Sequence, residues 1–277
     1  MDIRALQRPM NHQATVICLH SSGSTGGQWA ALRAQLEPEV RLMTPDFHGH
    51  GTGPAWHGSD EDIVAFDAAR IARLAESVPG GVHLVGHSYG GAIALRVALY
   101  HPESVTSVTV YEPVVFRLLF DYCGRQRPAS EIIEVARDMR RQLRARSMAG
   151  AAMRFVDYWG GRGAWHALST CQQAGIEKRV AVIAAQFRAL ANDAPRLGAY
   201  RSLHAPVLML AGSEMRTPVR RIGELLRFAL PNAAFCTMEG MGHMGPFTHA
   251  SVVAQRISEF IRKHTLEQGT IVRELAA

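Results

Sequence analysis

A serine flanked by glycines stands where one apolar pattern gives way to another, and that junction limits what the chain can fold into. Residues 82–85 form a short apolar run of the kind that makes a buried strand, while residues 92–99 carry a helical pattern. Between them lies Gly86-His87-Ser88-Tyr89-Gly90, a G-x-S-x-G pentapeptide in the strand–turn–helix setting that its chemistry requires. A sharp turn there leaves Ser88 in strained backbone with its hydroxyl exposed. Glycine on either side removes the Cβ atoms that would collide with the neighbouring strand and helix. The N-terminus of the following helix directs free N–H groups at the place where negative charge develops.

The flanking segments continue the alternation. Residues 14–19 read as a strand, 28–36 as a helix stopped before Pro38, and 40–43 as a second strand. A helix is expected over 59–77, with Ser59 as N-cap and Ile63, Phe66, Ala69, Ile71 and Leu74 as its apolar positions. After the Ser88 turn, residues 105–111 form a strand that closes at Glu112-Pro113. Strand alternating with helix predicts an α/β chain with a parallel sheet, and ligands then bind beyond the carboxyl ends of the strands. From Val114 to about Leu203 the strand signal disappears and apolar residues recur at helical spacing. The sheet resumes at 206–211, followed by a helix over 218–230, a last strand over 233–238 and a closing helix near 250–263. The expected organisation is one core, built from 1–113 and 204–277, interrupted by a helical insertion over 114–203.

Composition narrows the function classes. With 277 residues and 47% hydrophobic content the chain buries a substantial core. The first residues lack the apolar stretch of a signal peptide, and no apolar run of about eighteen residues exists, so the expectation is a cytoplasmic protein without a membrane span. The four cysteines form no C-x-x-C, and Cys18 and Cys236, in strand-like runs, read as buried free thiols. Thirteen histidines fall in no zinc-type spacing, so neither metal nor cofactor is expected. The net charge of +6 is local: residues 114–200 carry 14 Lys and Arg against 7 Asp and Glu. Arg137, Arg140, Arg141, Arg144 and Arg146 spread around a helix as a solvated face, which argues against nucleic-acid binding. The expected partner is a small-molecule substrate, with self-association as a homodimer left open.

Taken together, the motifs resemble the α/β-hydrolase superfamily over nearly the whole chain. Gly86 to Gly90 matches its nucleophile elbow, and His20-Ser21-Ser22-Gly23 occupies its His-Gly oxyanion turn, with Ser21 where glycine is usual. Asp46-Phe47-His48-Gly49-His50-Gly51 resembles its Asp-x-x-Gly-x-Gly loop, and Gly242-His243 matches its catalytic histidine. The resemblance implies an α/β-hydrolase fold, with a mostly parallel central sheet flanked by helices and a helical cap inserted after the family's sixth strand. The family's first hairpin is abbreviated here, since about thirteen residues precede the first clear strand.

The implied roles follow. Ser88 needs a base to take its proton, and His243 is the candidate, on a loop between Gly242 and Gly245. The oxyanion hole is expected from the backbone N–H groups of Tyr89 and Ser22. The acid departs from the family's usual position, where Met215 stands. Glu214 is one candidate. Glu112, at the tip of the strand after the elbow helix, is the favoured one, a placement that certain haloalkane dehalogenases share. Ser21, Phe116, Tyr158, Trp159 and Met244 are expected to contact substrate, with Leu119, Phe120, Phe155 and Trp165 as further aromatic and apolar candidates in the insertion. The leading expectation is a cofactor-free serine hydrolase, carboxylesterase-like, cleaving a small or medium hydrophobic ester through a Ser-His-Glu triad. The alternatives are C–C bond hydrolysis, perhydrolase or lyase chemistry at the same site, or a silent ligand-binding relative.

Overall fold

The computed structural model describes residues 13–57, 62–124, 126–192 and 195–275. Its strands are β1 (Thr15–Leu19), β2 (Arg41–Met43), β3 (Val82–His87), β4 (Val105–Tyr111), β5 (Val207–Gly212) and β6 (Ala233–Met238). They form one sheet in the order β2-β1-β3-β4-β5-β6, and every neighbouring pair is parallel. The helices are α1 (Ala30–Leu36), α2 (Ile63–Glu76), α3 (Tyr89–Tyr100), α4 (Phe116–Cys123), α5 (Arg127–Arg144), α6 (Met148–Gly160), α7 (Ala164–Ala167), α8 (Thr170–Asn192), α9 (Thr217–Ala229), α10 (Gly245–Thr248) and α11 (Ala250–Leu275).

Strand alternation sorts the core onto two faces. Val16 and Cys18 of β1 pack with Leu32 and Leu36 of α1 and with Val253, Ile257 and Ile261 of α11. Ile17 and Leu19 point the other way, into a larger cluster with Ile63 and Ile71 of α2 and with Ile93 and Leu95 of α3. Burial on both faces explains why the central strands read as continuous apolar runs. The chain runs from β1 out to β2 on one side, then crosses back over β1 to β3 on the other. This reversal opens a crevice at the carboxyl ends of β1 and β3, where the Ser21 and Ser88 turns lie.

Between β4 and β5 the described chain is helical, α4 to α8, with only a short 3-10 turn at Leu197–Ser202 before the sheet resumes. These helices follow the fourth strand of this chain rather than a sixth, because the two strands that would come earlier in the family count have no counterpart among the described residues. The expectations for the buried face of α2 and for Cys236 change. The Ser59 cap lies outside the described residues, and α2 begins at Ile63 with Ile63, Val64, Asp67, Ala68, Ile71, Ala72 and Ala75 buried. Phe66 is 54% exposed and packs on Trp56 and His48 instead. The helix is turned this way because Asp67 is drawn inward by hydrogen bonds from the Tyr89 hydroxyl and the His48 backbone. Cys236 is only half-buried, since β6 is the sheet's outer strand.

Candidate active site

The elbow forms where β3 meets α3. Ser88 has φ 55° and ψ −114°, a conformation that L-residues rarely adopt and that here turns the chain sharply. Two close approaches require its glycines. A Cβ at Gly86 would stand 2.3 Å from the Gly90 carbonyl oxygen, and one at Gly90 2.2 Å from that of Leu19. The strained residue is held by β4, with the Ser88 N–H donating to Tyr111 O at 3.0 Å. Tyr89 opens α3, so its backbone N–H is one of the groups that a helix leaves without an internal partner. Its side chain points away from Ser88's surface into the core and donates to Asp67 Oδ2 at 2.7 Å. Burial and that carboxylate push the phenol well above its ordinary pKa.

Three buried side chains meet at the sheet's carboxyl edge. The Ser88 hydroxyl donates to His243 Nε2 at 3.0 Å, and His243 Nδ1–H donates to Glu112 Oε2 at 2.7 Å. The other Glu112 oxygen accepts from the Gly212 N–H at 2.9 Å. Glu112 itself sits at φ 44°, and its N–H donates to Leu210 O. The preceding residue reaches the same loop, with the Tyr111 hydroxyl donating to Gly242 O at 2.8 Å. Glu214 is exposed and touches this loop through its backbone, its N–H donating to Met241 O at 2.9 Å.

The turn after β1 is pinned by two neutral histidines, a serine–glutamine bond and one arginine. His20 donates from Nδ1 to Ser21 O and accepts the Phe47 N–H at Nε2. His50 accepts the Gly23 N–H at 3.0 Å and donates to His48 O. Burial pushes His20 down to about 3 and holds His50 below its ordinary value, so both rings are uncharged at neutral pH. Ser22 Oγ donates to Gln186 Oε1 at 2.6 Å, and Arg179 donates to Gly23 O at 2.8 Å. None of these bonds uses the Ser22 N–H. Asp46 braces the loop opposite, accepting the Gly26 and Thr52 N–H groups. Burial works to raise its pKa, but those N–H bonds outweigh it and keep the carboxyl below its usual range.

A further polar chain ties this turn to the histidine loop. The Ser21 N–H and hydroxyl both donate to Gln28 Oε1, Gln28 Nε2 donates to His87 Nδ1, and His87 Nε2–H donates to His243 O. His87 is wholly buried, which together with the neighbouring His243 holds its pKa well below the ordinary value.

A cavity of about 680 Å³ opens over Ser88 and His243. Ser21, Ser22, Trp159 and Met244 line it, along with Phe155, Val156, Leu168 and Ile176. The indole of Trp159 stacks on the His243 ring, centroids 3.8 Å apart. Two expected contact residues, and the further candidates Leu119, Phe120 and Trp165, lie elsewhere. Phe116 is fully buried against Phe187, and Tyr158 turns its ring to Arg216 and Arg154. Gln28, Arg179 and Gln186 escape a sequence reading because each is a single polar residue on a helical segment. Only Gln186, inside the apolar stripe at 180–190, leaves a faint signal.

The family model that bears on this site spans residues 16–256. The chain belongs to the alpha/beta hydrolase family. A lipase of Mycobacterium tuberculosis, LipV, is 35% identical over 102 residues, 37% of this chain and 38% of that one. The pimeloyl-[acyl-carrier protein] methyl ester esterase of Aeromonas salmonicida is 34% identical over 34% of this chain and 35% of its own. The chain thus aligns with little more than a third of the length of these curated relatives. A crystal structure of a hydrolase from Pseudomonas aeruginosa PA01 shares the fold of this alpha/beta hydrolase, with a TM-score of 0.72 at 19% identity over 91% of each chain. No helix among the described residues is long and apolar enough to cross a membrane.

Proposed function

We propose that this alpha/beta hydrolase is a serine hydrolase that cleaves a small or medium, largely hydrophobic ester through an acyl-enzyme. The observation that carries the reading is the unbroken chain from Ser88 through His243 to Glu112 at the floor of the cavity. His243 Nε2 takes the Ser88 proton as Oγ attacks the carbonyl carbon, and Glu112 orients the ring and stabilises the imidazolium that forms. The backbone N–H groups of Tyr89 and Ser22 hold the oxyanion. Such donors contribute about 3–4 kcal/mol each to the transition state. The imidazolium then protonates the leaving alcohol, and water, deprotonated by the same nitrogen, releases the acid.

The division into a core of 1–113 and 204–277 and a cap of 114–203 belongs to the same reading. The cap's α6 and α8 supply the cavity's apolar wall, including Phe155, Val156, Trp159 and Ile176. Relatives named as a lipase and a methyl ester esterase support ester cleavage as the reaction class. A panel of p-nitrophenyl esters of increasing acyl length tests it. Turnover of the short and medium esters, abolished in Ser88→Ala, is the expected result. No turnover of any ester, in protein shown to be folded, contradicts it.

A further inference from the structure

Among the residues that line the cavity over Ser88, Arg179 is the one Lys, Arg, Asp or Glu. Its situation differs from that of several other arginines. Arg117 pairs with Asp121, Arg154 and Arg141 with Asp138, and Arg216 with Glu131. Arg179 pairs with no carboxylate among the described residues. Its guanidinium donates to a neutral acceptor, Gly23 O at 2.8 Å. A guanidinium carries five N–H donors in a planar fork, so one carbonyl leaves most of that capacity unused.

Its surroundings make the unused capacity matter. The cavity wall is mainly apolar, and Arg179 is itself only partly exposed. A cation placed there costs solvation energy unless an anion joins it. One turn earlier on α8 stands Gly175, which lines the same cavity. Glycine inside a helix is about 1 kcal/mol less favourable than alanine. A Cβ at that position would come 3.3 Å from the Arg179 terminal nitrogen, crowding the guanidinium. Gly175 thus leaves room beside this cation.

We infer that Arg179 selects acyl substrates bearing a carboxylate remote from the scissile bond, such as the monoester of a dicarboxylic acid. The inference deepens the Ser88 reading and rests on it for the chemical step. The carboxylate would join the guanidinium in a charge-assisted pair while the carbon chain runs along the apolar wall to Ser88. The bond to Gly23 keeps the guanidinium turned to the cavity, so the pair forms without the cost of ordering a free side chain.

The test compares monomethyl dicarboxylates, from succinate to suberate, with their neutral monoamide counterparts. Wild type should favour the carboxylate of the best chain length by about 10–100-fold in kcat/KM, mostly through KM. Arg179→Gln should lose about tenfold or more on the carboxylate ester beyond any loss on the amide, and Arg179→Lys should restore part of the preference. Equal losses on both esters, or no preference in wild type, would overturn the inference and leave Arg179 as a brace for Gly23. A binding readout separates this from failure of the ester reading. In Ser88→Ala, calorimetry should find the carboxylate about tenfold tighter than the amide, and the Arg179→Gln double variant should erase the difference. Discrimination in binding without ester turnover would sink the ester reading alone. Turnover or Ser88 labelling without discrimination would sink the Arg179 inference alone.

Discussion

The indole of Trp159 lies 3.8 Å from the imidazole of His243, centroid to centroid, with the two planes inclined by only 27°. A side chain of α6 thus covers the ring that reaches Ser88. An indole face attracts a cation, by about 1–2 kcal/mol where water is partly excluded. In the proposed reaction the stacked pair would therefore favour the imidazolium formed when Ser88 attacks, beyond what Glu112 would supply.

From this, Trp159→Ala should lower kcat/KM for a short ester by about tenfold, and Trp159→Phe should recover part of the loss. Steady-state kinetics on both variants decides it. A loss confined to long acyl chains would show that Trp159 serves the cavity wall rather than the histidine.

The carboxylate assignment yields a paired prediction. Glu112 is 1% exposed with one oxygen on His243 and the other on the Gly212 N–H, whereas Glu214 is exposed. Glu112→Gln should reduce kcat by about 100-fold or more, since the amide can present its NH₂ to Nδ1 and favour the wrong tautomer. Glu214→Gln should stay within about threefold of wild type. The reverse order of effects would move the acid to Glu214.

Gln28 links Ser21 to His87, and through His87 to the His243 carbonyl. Gln28→Leu leaves the Ser21 N–H and the His87 ring short of partners, at a cost of about 1–3 kcal/mol. The loss should fall on kcat, by about tenfold, with KM little changed, because the turn and the histidine loop position groups that act in the transition state. A change in KM alone would argue that the chain only shapes the cavity.

Buried neutral histidines set the response to acid. Burial depresses His20 to about 3 and His83 to about 4, and it holds His50 and His87 below their ordinary values. The unfolded chain takes up these protons near pH 6.5, so the unfolded state binds more of them and stability rises with pH across this window. The stability these histidines contribute is full above about 6.5 and declines as pH falls towards 4. Urea unfolding at a series of pH values measures the slope. His83, bonded to Ser107 and Thr265 at the far end of β3 from Ser88, isolates one contribution. His83→Asn should flatten the slope by about 1.4 kcal/mol per pH unit. An unchanged slope would contradict the assignment.

How far the sequence carries can be read from these same residues. The strand–turn–helix around Ser88 was legible because buried parallel strands and a glycine-flanked turn are local patterns. The strand ends at Leu19, Tyr111 and Met238 match the structure because turns and prolines follow them. Glu112 could be proposed from strand adjacency, but its bond to His243 spans 131 positions, and no local pattern encodes that distance. The orientation of α2 was misread because Asp67, a charged residue, lies on its buried face. The apolar residues of the inserted helices were legible as a group, yet which of them face Ser88 depends on packing: Trp159 does, while Phe116 and Tyr158 turn to Phe187 and Arg216.

The most direct measurement is covalent. The purified protein is treated with a fluorophosphonate, and the adduct is located by peptide mass spectrometry, with Ser88→Ala alongside. The account predicts stoichiometric labelling on Ser88 alone, slowed at least 100-fold in His243→Ala. Folded protein left unlabelled at Ser88, or labelled equally fast without His243, would contradict it.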